Sequence, residues 1–113
     1  MKSKISSLSK SEDFKTLLNG RKISNPYSTI FFKKISSKSN KLLNASFVTK
    51  RKIGNAVRRN RIKRRLRSIM NDAIKTIDMN LNYSYLFIAK KNIYDAEYKM
   101  IKNSIFEDLI KIR

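Results

Sequence analysis

Residues 50–67 read KRKIGNAVRRNRIKRRLR, with ten Lys or Arg in eighteen positions and no acidic residue among them. Such a segment cannot neutralise itself, and self-repulsion opposes its folding unless a polyanion sits opposite. Arg59, Asn60 and Arg61 offer planar, multidentate donors suited to phosphate oxygens and base edges. Threaded through the same stretch, Ile62, Leu66, Ile69, Ala73 and Ile77 recur at spacings of four, three, four and four. That period predicts a helix beginning near Asn55 or Ala56, just after Gly54 breaks the preceding strand. At roughly 100° per residue, Asn60, Arg64 and Arg67 lie opposite the apolar stripe, with Arg61 and Lys63 on its flanks. One face is for the core and the other for an anionic partner.

Working outward from this helix, residues 45–49 (ASFVT) predict the strand that feeds it. The β-branched and aromatic run Tyr27, Thr29, Ile30, Phe31 and Phe32 predicts an earlier strand, with Pro26 tolerated at its start. The polar residues 36–41 between them read as a loop, so the two strands are expected to form an antiparallel hairpin with a long tip. A short extra strand near Ile23 is compatible with the pattern. Ser9 and Glu12 resemble a capping box, after which Phe14, Leu17 and Leu18 share one helical face before Gly20 ends the turn. Residues 83–89, YSYLFIA, are nearly continuously apolar and predict a central strand. Asp95 is expected to cap a last helix, whose Tyr98, Ile101, Ile105, Leu109 and Ile112 form a second stripe. Gly54 is expected to supply a positive φ at the strand-to-helix turn. The fold class is α+β: a small sandwich of order helix, strand, strand, optional strand, helix, strand, helix, with helices packed on one sheet.

The chain has 113 residues, enough for one domain with a single core. Residues 1–113 are therefore expected to form one RNA-binding domain, with 1–8 as a mobile basic tail. Its net charge of +19 comes from 27 Lys and Arg against 8 Asp and Glu. All the acids fall outside residues 14–71, where seventeen cations stand without a carboxylate. The electrostatic footprint thus belongs to the first two thirds of the chain, and nucleic acid is the expected partner. No run approaches the roughly eighteen apolar residues of a spanning helix, and residues 1–10 lack the apolar segment of a secretory signal. Membrane association is not expected, and the absence of cysteine suits a reducing, cytoplasmic setting. With no histidine or cysteine, the chain lacks the usual general base, the Ser-His and Cys-His arrangements and the commonest transition-metal ligands. Protein-only catalysis is left with few tools, and no protein metal site is expected. The scattered pairs Asp95 with Glu97 and Glu107 with Asp108 suit helix-terminal and surface roles, and Asp72 and Asp78 need no function.

Taken together, Ile53, Ala56, Arg59-Asn60-Arg61, Ile62, Lys63, Arg64, Leu66 and Arg67 are similar to the signature of the bacterial ribonuclease P protein subunit. Weaker similarity extends over nearly the whole chain, including Glu12-Asp13-Phe14 and Phe87-Ile88-Ala89-Lys90. The resemblance implies an α-β sandwich with a left-handed crossover, related to a domain found in ribosomal proteins and translation factors. It also implies an accessory subunit of a ribonucleoprotein that removes the 5′ leader of precursor tRNA by endonucleolytic hydrolysis. The active site then lies in the RNA, where Mg2+ activates the attacking water, and no cofactor belongs to the protein itself.

Two surfaces follow from the resemblance. The first would face the catalytic RNA, through Arg51, Lys52, Arg59, Asn60, Arg61, Lys63, Arg64 and Arg67. The second is a cleft between the first helix and the sheet for the single-stranded leader, with Phe14, Leu18, Phe31, Phe47 or Val48, and Lys50 as candidates. Aromatic side chains there stack on unpaired bases while cations track the backbone. At Leu18 the family commonly has an aromatic, so stacking at that place is expected to be weaker. Phe14 and Phe31 also have the spacing of ordinary core residues, and Lys33, Lys34, Lys38 and Lys41 read as solvated charges. The partners expected are ribonuclease P RNA and precursor tRNA, with no protein partner implied. The alternative from composition alone is a ribosomal or other structural RNA-binding protein. A DNA-binding protein lacks support from any helix-turn-helix pairing or zipper, and an independently active nuclease ranks last.

Overall fold

The computed structural model describes residues 5–6, 11–34, 43–77, 79 and 81–112. Its order is β1 (Ile5–Ser6), α1 (Ser11–Leu18), β2 (Arg21–Ser24), β3 (Ser28–Lys34), β4 (Leu43–Val48), α2 (Ala56–Thr76), β5 (Tyr83–Ala89) and α3 (Tyr98–Lys111). Short 3-10 turns at Arg51–Ile53 and Lys91–Ile93 precede α2 and α3. The α+β class is as expected, and the strand near Ile23 is present as β2.

The strands form one sheet of order β1-β4-β5-β3-β2. β3 and β4 are therefore not the hairpin that their sequence proximity suggests. β5 lies between them, antiparallel to β3 from Ser28↔Ala89 to Lys34↔Tyr83 and parallel to β4 from Asn44↔Ser84 to Val48↔Ile88. Burial on both faces explains the insertion: Tyr85, Phe87 and Ala89 enter the main core under α2 and α3, while Leu86 packs with Leu17 under α1. Such a strand is most stable in the sheet centre, where both its edges are also paired. The parallel β4–α2–β5 unit then needs α2 as its crossover. Ile5 and Ser6 are not part of a free tail, because they pair in parallel with Leu43 and Asn44 and Ile5 is buried. The remainder of residues 1–8, Ser9 of the expected capping box, the 36–41 loop with Lys38 and Lys41, and Asp78 lie outside the described residues.

Both long helices bury the stripes read from their periodicity. Ile62, Leu66, Ile69 and Ala73 of α2 are buried together with Met70, and Ile77 closes the helix as its half-buried C-cap residue. On α3, Ile101, Ile105, Leu109 and Ile112 are buried. Polar contacts stitch the seam between the helices: Tyr98 Oη lies 3.0 Å from Ser68 Oγ, and Lys102 Nζ lies 3.1 Å from Asp72 Oδ2. Asp95 does not cap α3. The helix starts three residues later, with Glu97 at the N-cap position, because the chain first turns to place Ile93 and Ala96 against the core. In the core itself, burial and the neighbouring Tyr83 push the Tyr85 hydroxyl far above its ordinary range, so it stays protonated.

The turn from β2 to β3 carries a buried polar network. Asn25 Oδ1 accepts from the backbone N–H groups of Tyr27 and Ser28, both at 2.8 Å. Asn25 Nδ2 donates to Asp108 Oδ2 of α3 at 2.9 Å, and Lys90 Nζ donates to the Asn25 carbonyl at 2.8 Å. Asp108 is thus a buried tie between helix and sheet, not the surface carboxylate its sequence context suggests. Asn25→Ala would strip two backbone donors and one buried carboxylate of their partner. Urea unfolding should show a loss of about 2–3 kcal/mol, whereas Asn92→Ala, at an exposed position, should stay within about 0.5 kcal/mol of the parent.

Candidate nucleic-acid interface

The interface is built on the passage from β4 into α2. After Val48 the chain makes the 3-10 turn, which buries Ile53 and leaves Arg51 and Lys52 exposed. Gly54 is extended at φ 162°, not in the left-handed region, so the expectation of a positive φ is corrected. A close approach makes glycine fit here: a Cβ would stand 2.3 Å from Arg58 Cδ. Asn55 then caps α2, its side chain accepting from the Arg58 N–H at 3.0 Å. No acidic residue occupies the first turn, so the positive end of the helix dipole adds to the side-chain cations.

Rotation about α2 sorts the basic residues. Asn60, Arg61, Lys63 and Arg64 are exposed, while Arg59 and Arg67 are half-buried. At 100° per residue Arg59, Lys63 and Arg67 follow one flank, Arg58, Arg61 and Arg65 the other, and Asn60 and Arg64 crown the helix. Arg59 and Arg61 therefore point to opposite sides of their shared Asn60. Arg59 Nε is buried and takes no hydrogen bond among the described residues, which leaves a donor open. Val57, 75% exposed, joins Asn60, Lys63 and Arg64 around a shallow concavity of about 490 Å³.

A cleft of about 390 Å³ runs beside this face, lined by Phe14 of α1, by Ser46, Phe47 and Val48 of β4, and by Lys63, Arg64 and Arg67 of α2. It lies beside the part of β4 that follows Leu43 and Asn44, the residues paired with β1. Alternation along β4 sends Phe47 toward Phe87, ring centres 5.4 Å apart, and Val48 toward Phe14 and Phe31. Both still reach the cleft. Phe31 stands in the adjoining cluster around Leu17 and Leu86, half-buried but not on the cleft wall. Leu18, 49% exposed, and Lys50 also lie outside it, since Leu17 is the residue that α1 buries. Ser46 went unnoticed in the sequence, although it is two residues from Val48 and so shares its strand face.

Lys63, Arg64 and Arg67, read from the sequence as part of the helix surface, form the cationic wall of the cleft. Lys63 and Arg64 line both concavities, so the two adjoin at the helix. Among the described residues no three His, Cys, Asp or Glu gather to hold a metal ion. Among the described residues no helix is long and apolar enough to cross a membrane.

An α+β sandwich with an uncompensated cationic helix beside a cleft that is apolar on one wall and basic on the other defines a class: a small RNA-binding domain. The family model for Ribonuclease P matches residues 2–113. A ribonuclease P protein component from Fusobacterium nucleatum is 35% identical over 106 residues, covering 89% of this chain and 91% of its own. One from Caldanaerobacter subterraneus is 29% identical over 114 residues, covering 98% and 91%. In fold, the RNase P protein from Thermotoga maritima superposes with a TM-score of 0.80 at 22% identity, covering 96% of this chain and 98% of that one. The chain belongs to the ribonuclease P protein family. It is accordingly a protein subunit accessory to an RNA-based endoribonuclease, with RNA as its partner.

The geometry separates residues that shape the cleft from those that charge it. Phe14→Ala, at a half-buried position against the Leu17–Leu86 cluster, should lower unfolding stability by about 1–3 kcal/mol. Lys63→Ala, at an exposed position, should change it by less than about 0.5 kcal/mol in the same denaturant titration.

Proposed function

We propose that the chain binds the catalytic RNA of ribonuclease P through the crown and outer flank of α2 and holds the 5′ leader of precursor tRNA in the Phe14–Phe47–Val48 cleft. The observation that carries this reading is the two-sided cleft: aromatic and aliphatic groups on one wall, Lys63, Arg64 and Arg67 on the other. An unpaired strand presents base faces on one side and phosphates on the other, so this lining grips it without demanding a particular sequence. Because Lys63 and Arg64 belong to both surfaces, leader and catalytic RNA would converge at the helix, close to the scissile phosphate.

Endonucleolytic hydrolysis would then proceed on the RNA, where bound Mg2+ supplies a metal-activated water. The protein's residues orient the substrate and reduce phosphate repulsion. Arg51, Lys52, Asn60 and Arg61 are exposed donors for the catalytic RNA, and half-buried Arg59 adds its charge beside them. Concentrated positive charge would also relieve phosphate repulsion where leader and catalytic RNA meet. A cytoplasmic setting, where precursor tRNA is made in bacteria, suits this role.

Cleavage of a leader-bearing precursor tRNA at low Mg2+ tests the reading, with a bacterial ribonuclease P RNA alone, the same RNA plus this protein, and the protein alone. Stimulation in the mixture only is expected. Tight RNA binding without stimulation would favour a structural RNA-binding role, and cleavage by the protein alone would overturn the placement of catalysis. Arg61→Ala should leave the unfolding midpoint unchanged yet weaken binding of the catalytic RNA by about 1–2 kcal/mol, roughly five- to thirtyfold. Phe14→Ala should weaken leader-bearing substrate more than mature tRNA, by about 1–3 kcal/mol, with the Kd of the holoenzyme for each RNA as the readout.

A further inference from the structure

Arg58 stands apart from the other cations of α2. Its guanidinium carbon lies 4.0 Å from the centre of the Tyr94 ring. The other cation–ring contacts among the described residues, Arg21 on Phe32 at 5.1 Å and Lys102 on Phe106 at 5.4 Å, are longer. Beneath it, the stem crosses Gly54 so closely that a Cβ there would meet Arg58 Cδ at 2.3 Å, Cγ at 3.0 Å and Cβ at 3.1 Å. Its backbone N–H is held by Asn55 Oδ1. Tyr94 is itself fixed, half-buried against the main core directly after the buried Ile93. Yet Arg58 is exposed, and among the described residues no carboxylate pairs with it.

A surface arginine normally loses much rotamer freedom when it binds an anion, because its planar fork must be brought into one orientation. Here the ring and the glycine gap have already restricted the side chain, and stacking leaves the rim of N–H donors in the guanidinium plane unspent. Arg58, Arg61 and Arg65 recur at spacings of three and four on the flank of α2 away from Lys63 and Arg67. That flank faces away from the cleft.

We infer that Arg58, stacked on Tyr94 and seated over Gly54, is a pre-positioned contact for an RNA backbone phosphate on the flank of α2 opposite the cleft, and that Tyr94 is its positioning residue. This role rests on the RNA-binding reading above. Tyr94 touches no RNA; it acts through Arg58. An ammonium at position 58 would keep the charge and lose the stacked fork, so lysine is not an equivalent replacement.

The test is binding of the full chain to a bacterial ribonuclease P RNA across a salt series, with unfolding midpoints measured in parallel. Arg58→Ala should weaken binding roughly three- to tenfold and reduce the slope of log K against log salt by about one. Arg58→Lys should keep the slope and recover only part of the affinity. Tyr94→Leu should weaken binding roughly two- to fivefold in the parent, do nothing further in the Arg58→Ala background, and be rescued by Tyr94→Phe. A purely structural role for Tyr94 would carry the same loss into the Arg58→Ala background, and that additivity overturns the assignment. So does an Arg58→Ala variant with parental affinity and slope. Failure of the unaltered protein to bind the RNA would instead remove the functional reading, and this contact with it.

Discussion

Double-sided burial of β5 is the constraint on which the remaining structure depends. Tyr85, Phe87 and Ala89 fill the space under α2 and α3, and Leu86 meets Leu17 of α1 on the other side. A strand with no solvent face has to sit inside the sheet, so β3 and β4 are driven apart and β4 becomes parallel to β5. The crossover between parallel strands must span the sheet, and α2 is the element that does so. The same arrangement sets Ser46, Phe47 and Val48 of β4 beside Phe14 and the α2 cations, and these residues together line the cleft.

Electrostatics and packing make opposite demands on α2, and the helix satisfies them on different sides. Ile62, Leu66, Ile69, Met70 and Ala73 are buried and hold it to the sheet. Burial of the Ile, Leu and Met side chains contributes on the order of 1.5–3 kcal/mol each, enough to offset repulsion among cations that water and salt partly screen. Between residues 14 and 71 the chain omits any counter-charge of its own, and an RNA partner bound there would supply it. Within this charged surface the side chains differ in freedom. Lys63 and Arg64 are exposed and adaptable, whereas Arg58 is confined by Tyr94 and the gap at Gly54.

Local periodicity made the helices legible. The stripes of α2 and α3 could be read because a helix repeats its burial every three or four residues, and the buried positions coincide with that reading. The signature from Ile53 to Arg67 was equally visible, since its residues all belong to one turn and one helix. Pairing was less accessible. A hairpin between β3 and β4 was the natural inference from neighbouring strands, but the competition for the sheet centre involves a strand some forty residues further on. β1 is two residues long and carries no periodic signal at all. Asp95 had the chemistry of a cap, yet the pull of Ile93 and Ala96 toward the core moved the helix start to Tyr98. Asp108 looked like a surface acid because its partner, Asn25, is 83 residues away.

What the sequence determined by itself was everything carried by short-range pattern: the α+β class, the two amphipathic helices, the concentration of charge and the family signature. Only the tertiary structure decided which of the candidate residues share a cleft. It joined Phe14, Val48 and Phe47 to Lys63, Arg64 and Arg67, left Leu18, Phe31 and Lys50 off the wall, and set Arg58 on Tyr94. The physical reason is that helix and strand periods specify which way a side chain faces within its own element, whereas the meeting of three elements depends on strand order. Strand order follows from the burial demand of β5, which acts across the whole chain.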